Sequence, residues 1–119
     1  MTVDDCDKEW QVELSEEAAG DARELAAYYF EVGDGERSAE KFEISLHQTL
    51  DSLASFPRIN TKWDELDTVR RVDMTTHKVA LVYRIEDDTL KVIAVAAFHT
   101  LSDPSKYQKL VDSRIASSQ

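Results

Sequence analysis

The apolar positions of this chain change their period along its length, and each change marks an element. Trp10, Val12 and Leu14 alternate with Gln11 and Glu13, the period of two expected of a short strand with one buried face. Ser15 follows as a candidate N-cap, with Glu16 and Glu17 in the first helical turn, where the helix dipole favours negative charge. From there Ala18, Ala22, Leu25, Ala26, Tyr29 and Val32 recur at threes and fours, the apolar stripe of a helix, and Gly33-Asp34-Gly35 ends it. A second helix is predicted from near Ser38, with Ala39, Phe42, Leu46, Leu50, Leu53 and Ala54 on one side, and Pro57 forbids its continuation. So short a turn makes the two an antiparallel hairpin. Neither stripe can close a core alone, so both must pack on something else.

The C-terminal half supplies that surface. Val69–Met74 reads as a short strand, and Val79–Ile85 as a β-branched and aromatic one. Glu86-Asp87-Asp88-Thr89 makes a polar turn, and Leu90–Phe98 returns, giving a three-stranded antiparallel meander. Strands that are apolar at nearly every position point to burial on both faces, as in the middle of a sheet. Asp103-Pro104 then opens a short last helix with Tyr107, Leu110, Val111 and Ile115. The predicted order, β-α-α-β-β-β-α, is an α+β fold with the helical hairpin laid on one face of an antiparallel sheet. Residues 1–8 have no period and are expected to form a loose tail. Residues 9–116 are expected to form a single domain, without repeats or an internal linker.

Composition narrows the setting. The 119 residues are 42% hydrophobic and 32% charged, as in an ordinary globular protein. The longest apolar runs, Val79–Tyr83 and Val92–Phe98, are strand-sized and far short of a membrane span. The acidic start Met1-Thr2-Val3-Asp4-Asp5 does not read as a secretory signal, and Cys6, the one cysteine, leaves no internal disulfide or cysteine metal cluster. A reducing cytoplasm is the expected location. The net charge of −10 is unevenly spread: residues 1–36 hold twelve acidic side chains against Lys8 and Arg23, and the remaining residues hold twelve of each sign. An acidic N-terminal face argues against nonspecific adhesion to phosphate backbones, and no sequence-specific DNA binding by the chain alone is expected.

Candidate chemistry is sparse. Of the histidines, His47 lies beside an apolar helical stripe as a surface residue, His77 falls in the bend before the long strand, and His99 ends the last strand at a sheet rim. His99 reads either as a hydrogen-bonded structural residue or as a general base. No His, Asp and Glu spacing suggests a metal site, and with three glycines there is no nucleotide-binding loop, so no metal or cofactor is expected. No Gly-x-Ser-x-Gly nucleophile turn occurs. The cations cluster better: Arg70 and Arg71 on the first strand of the meander, Lys78 and Arg84 on the second. The strand period allows only one of Arg70 and Arg71 on a given face. These residues read either as partners of Asp73, Glu86 or Asp87 across the sheet, or as a small cationic patch for a phosphate or an acidic partner.

Val69-Arg70-Arg71-Val72-Asp73-Met74, then Val79-Ala80-Leu81-Val82-Tyr83-Arg84-Ile85-Glu86-Asp87-Asp88, then Val92 to Thr100 and Asp103-Pro104, resemble the C-terminal pattern of ParE-type toxins of the RelE/ParE superfamily. The N-terminal half agrees, with Val12-Glu13-Leu14-Ser15, Ala18, Asp21, Ala22, Tyr28-Tyr29, and then Ala39, Phe42, Leu50, Leu53 and Phe56-Pro57. The match runs over residues 9–114, and its specificity lies in the order and spacing of the pieces. The resemblance implies the toxin of a bacterial type II toxin–antitoxin module of the plasmid-stabilisation kind. It also implies a cognate, ParD-like antitoxin that wraps the toxin with a helix and an extended tail.

The superfamily divides by activity. RelE-like members cut messenger RNA on the ribosome with basic residues on the sheet and a C-terminal tyrosine or histidine; ParE-like members are associated with poisoning DNA gyrase. Where RelE-like nucleases keep an arginine before the central Leu-Val-Tyr, this chain has Ala80, and Thr100 stands where an aromatic residue is frequent. Holding phosphate and activating a 2′-hydroxyl both suffer from that loss, so the resemblance favours a non-enzymatic gyrase inhibitor. The alternative nuclease would use Arg71, Lys78, Arg84 and His99. A third reading is a non-toxic antitoxin-binding module or operon co-repressor. Partner contacts are expected through Arg70, Arg71, Tyr83, Arg84 and His99. Leu101-Ser102 and Thr75-Thr76-His77 depart from the ParE pattern, which has paired arginines and an aromatic-proline segment at those places.

Overall fold

A computed structural model describes residues 10–63, 68–74, 76–100 and 104–117; the tail expected over residues 1–8, and Asp103, lie outside the described residues. The elements follow the predicted order with one addition. Strand β1 (Gln11–Leu14) leads into helix α1 (Glu16–Val32) and helix α2 (Glu36–Ser55). A two-residue strand β2 (Thr61–Lys62), absent from the sequence reading, precedes β3 (Val69–Asp73), β4 (Val79–Glu86) and β5 (Lys91–His99), and helix α3 (Pro104–Ser117) ends the chain. The fold is α+β.

Local chemistry explains the helix boundaries. Ser15 is extended and its Oγ accepts the Ala18 N–H at 3.1 Å, satisfying one of the donors a helix leaves unpaired at its start. Gly33 closes α1, its N–H returning to the Tyr29 carbonyl, and a Cβ there would collide with Ser38 of α2. Gly35 adopts φ 62°, a conformation that costs other residues about 1–2 kcal/mol, and lets α2 begin at Glu36, two residues before Ser38. The turn between β4 and β5 places Leu90 in the same region (φ 55°), so that β5 starts at Lys91.

The five strands lie in the order β1-β5-β4-β3-β2. β3, β4 and β5 form the expected antiparallel meander, with Arg71 opposite Val82 and Val79 opposite His99. β1 pairs parallel to β5, Val12 opposite Val92, which makes β4 and β5 the interior of the sheet and accounts for their apolar runs. One face packs Val79, Leu81, Ala94 and Ala97 against Ala18 of α1 and Phe42 and Leu46 of α2. The opposite face packs Val69, Ala80, Val82 and Phe98 against Val111 and Ile115 of α3. The helical hairpin and the last helix therefore sandwich the sheet. Near the start of β5, Leu53, Tyr83, Ile85 and Val92 close a further cluster. Burial of a side chain such as Phe42 or Leu53, each 0% exposed, contributes about 1.5–3 kcal/mol.

A bulge lets β5 serve both faces. Val82 pairs with Ala96 and Tyr83 with Ala94, leaving Val95 as the extra residue. Val95 and Ala96 both join the α3 cluster, while Ala94 and Ala97 on either side join the hairpin cluster. No described helix is long and apolar enough to cross a membrane.

Candidate functional site

The β4–β5 ladder brings Lys78 and His99 together. Val79 is opposite His99, and the Thr100 N–H donates to the Lys78 carbonyl at 2.9 Å. The C-terminal half of α1 lies over this end of the sheet. The Tyr29 hydroxyl and His99 Nε2 are 3.1 Å apart, a hydrogen bond whose donor depends on the imidazole tautomer. Tyr28 meets His99 edge-on with ring centroids 4.8 Å apart; Tyr29 meets His77 edge-on at 4.8 Å and stacks on the buried Phe42 at 5.3 Å. Thr76 Oγ1 lies 3.0 Å from His77 Nδ1. The result is a group of four rings around an open groove of about 330 Å³, with Lys78 and Val32 at its margin.

Electrostatics hold two of these groups neutral. Burial, and secondarily Tyr28, raises the Tyr29 hydroxyl above its usual range. Burial, and secondarily the charge of Lys41, lowers the His77 imidazole. At neutral pH this end offers hydrogen-bonding groups of either polarity and one exposed ammonium, Lys78.

The other cations lie elsewhere. Arg71 sits on the α3 side of β3, its guanidinium 5.9 Å from the Phe98 ring centre and its Nε bonded to Asp73 at 2.8 Å. Together with Lys62, Trp63, Phe98, Thr100 and Gln108 it lines a second groove, of about 260 Å³. Arg84 is five residues beyond Val79 on β4, about 17 Å along the strand at the usual rise. Its Nη1 donates to Glu86. Although burial opposes it, the Arg84 and Thr89 hydrogen bonds and the charges of Arg84 and Lys91 hold the Glu86 carboxyl below its usual range. Both arginine pairs run along one strand, two residues apart and so on one side of it, rather than across the sheet.

Arg70 and Tyr83, expected at a partner surface, are built into the interior instead. Arg70 is 9% exposed and Tyr83 0%. They face each other across β3 and β4, on the side of the sheet opposite Arg71, as the strand period requires. Arg70 Nη1 donates to the carbonyls of Arg58 (3.2 Å) and Asn60 (2.9 Å). The Tyr83 hydroxyl donates to the Pro57 carbonyl and accepts from Asn60 Nδ2 at 3.1 Å. These bonds fasten the segment after α2 to the sheet; a buried residue so engaged cannot reach a partner without breaking them.

Asp21, noted in sequence only as part of a family pattern, has a defined role. It accepts from Arg114 Nη1 at 2.7 Å and from the Ala97 N–H at 3.1 Å, while Arg114 also donates to the Val95 carbonyl at 2.8 Å. The pair joins α1, the bulged part of β5 and α3. Its hydrogen bond to Asp21 raises Arg114 further above its usual range. Ala80, where a nuclease arginine would stand, is fully buried in the cluster beneath α3. Sequence reasoning missed Tyr28 and His77 as neighbours of His99; Tyr28 comes from α1, about seventy residues away, and His77 from the bend before β4, and no local period links them to His99.

Comparison with known proteins agrees with this architecture. A family model described as the ParE toxin of the type II toxin–antitoxin system parDE matches residues 12–103. A search of curated proteins finds no significant match. Among solved structures, the chromosomal ParDE toxin–antitoxin system of P. aeruginosa matches with TM-score 0.64 and 11% identity, covering 77% of this chain and 97% of that one. A mutant of the E. coli toxin RelE in the free state matches at 0.62 with 17% identity, covering 92% and 97%. The E. coli RelBE toxin–antitoxin complex matches at 0.55 with 19% identity, covering 76% and 95%. At these identities the structural likeness speaks for the fold, and it extends to both branches.

Proposed function

The chain belongs to the ParE toxin family of type II toxin–antitoxin systems, and from that premise we propose that it acts by binding a protein target, DNA gyrase, rather than by cutting RNA, and that a ParD-like antitoxin neutralises it. The observation that carries this reading is the dispersal of the nuclease candidates. Lys78 and His99 share one end of the sheet, whereas Arg84 is about 17 Å further along β4 and shares the α3 face with Arg71, which lies opposite Val82, two residues from Arg84 on the same strand. Arg71 and Arg84 already pair with Asp73 and Glu86. Phosphoryl chemistry on RNA needs cations converging on one phosphate beside a group that activates the 2′-hydroxyl, and stabilising that charge is worth several kcal/mol of barrier. Four groups split between two places do not supply it.

The nuclease reading retains one supporting observation, the Tyr29–His99 hydrogen bond beside Lys78, which has the form of a small acid–base pair. Two assays separate the readings. Incubated with gyrase and supercoiled plasmid, the purified protein is expected to make cleaved DNA accumulate, and translating ribosomes with messenger RNA are expected to remain intact. Messenger cleavage that disappears in a folded His99→Ala variant would overturn the binding reading. Co-expression with the antitoxin is expected to relieve any growth arrest. Both targets place the protein's action in the cytoplasm.

A further inference from the structure

The groove framed by Tyr28, Tyr29, His77 and His99 differs in charge from the helical hairpin that walls it. The protein carries 24 acidic side chains against 14 basic ones, and the helical hairpin over residues 16–55 contains ten of those acids and only Arg23, Arg37 and Lys41 as bases. Yet none of the described residues lining this groove is a carboxylate. Its polar edges are instead donors or potential donors: the Lys78 ammonium, the Thr76 and tyrosine hydroxyls, and the two imidazoles. Lys41 stands near enough for its charge to act on His77. The neighbouring cleft, which shares Tyr28 and His99, is different: it includes Glu24, and Asp21 already neutralised by Arg114.

Between those edges the groove's walls are mostly apolar. Tyr29 is held by its stack on Phe42 and its bond to His99, while Tyr28 and Val32, 48% and 61% exposed, present open apolar surface. Its size, about 330 Å³, suits a side chain or two. We propose that this groove is a docking site for a protein segment that presents a carboxylate beside an aromatic or aliphatic side chain. The acid would be received by Lys78 and the imidazole and hydroxyl donors, and the apolar group by Tyr28 and Val32. A single carboxylate on a neutral or basic segment tolerates the surrounding hairpin, whereas a polyphosphate chain is repelled by it. The inference rests on the reading of the chain as one that works by holding protein partners.

Phenylacetate is a minimal probe, carrying one ring and one carboxylate, and phenylacetamide is its neutral counterpart. In an NMR titration of the whole protein, phenylacetate is expected to shift the His77, His99 and Tyr28 ring signals saturably in the low-millimolar range that a ligand of this size reaches. Phenylacetamide is expected to shift them far less. Lys78→Glu is expected to weaken the binding about tenfold, an effect of the size that a lost charge-assisted bond produces, while leaving the backbone spectrum otherwise unchanged; Lys78→Gln is the milder variant if Lys78→Glu perturbs the fold. Equal binding of the two probes, or no saturable shift, would overturn the proposal. Inorganic phosphate binding as tightly as phenylacetate would mark a simple anion site, and a short RNA shifting these signals when phenylacetate does not would mark a nucleic-acid surface; either result rejects a peptide carboxylate. None of these readings needs gyrase or an antitoxin, so failure here is distinct from failure of the proposed function.

Discussion

The two ends of the β4–β5 ladder hold comparable groups and put them to opposite uses. Near the end of β4, Tyr83 and Arg70 are buried and bond to the segment after α2, at the carbonyls of Pro57, Arg58 and Asn60 and the amide of Asn60. At the other end, Tyr29 and His99 bond to each other, with Tyr28 half-exposed and Lys78 open to solvent. The difference lies in what covers the sheet. The chain leaving α2 crosses the first end and needs partners for its backbone; over the second end lie turns of α1 and α2, whose side chains meet those of the strand and the bend. A tyrosine beside a basic group is therefore structural where loop backbone must be satisfied, and available where it need not be.

The largest break in that contrast is expected from Tyr83→Ala. It removes a fully buried ring and strands the Asn60 amide and the Pro57 carbonyl, at a cost of about 3–5 kcal/mol in urea unfolding, typical of large-to-small core changes. Tyr83→Phe isolates the polar part, about 1–3 kcal/mol for leaving buried partners unsatisfied. If Tyr83→Phe proves neutral, the structural assignment of the first end fails. Next comes the clasp between the helices. Arg114→Ala leaves Asp21 partly buried without its cation and is expected to cost about 2 kcal/mol, less than the loss seen for fully buried pairs, and to increase hydrogen exchange along α3.

At the open end the expected effects are smaller. Tyr29→Phe removes one hydrogen bond, about 1 kcal/mol or less, and is expected to alter the His99 ring signals without changing the fold; a loss as large as that of Tyr83→Phe would erase the difference between the ends. The smallest effect is on pH dependence. Because burial and the charge of Lys41 hold the folded-state pKa of His77 below its usual 6.5, the unfolded chain binds more protons there. Its contribution to stability is present above 6.5 and is lost as pH falls from there through the folded pKa. His77→Gln is expected to flatten the stability profile in that window, measured by thermal unfolding from pH 7.5 to 5. Glu86, also lowered, acts in a separate window below its usual 4.5.

Much of this was legible in the residues. The alternation at Trp10–Leu14, the stripes from Ala18 and Phe42, the Ser15 cap and the doubly apolar runs of β4 and β5 locate the elements to within two residues, because period and capping are properties of short segments. The same rule placed Arg70 and Arg71 on opposite faces. The strand β2 escaped detection because two exposed residues, Thr61 and Lys62, carry no periodic signal. The candidate site was less legible: His99 was visible as a rim residue, but its companions come from α1 and from the β3–β4 bend.

The sequence by itself determined the element types, the α+β class and the family, since these depend on local periodicity and on an ordered pattern of residues. Only the tertiary structure decided that β1 lies parallel beside β5, that α3 covers the face opposite the hairpin, that Tyr83 and Arg70 are interior, and that the nuclease candidates divide between two places. Each of those outcomes is a pairing between segments tens of residues apart, selected by which buried backbone groups and apolar faces can be satisfied together, and no window of local sequence contains that information.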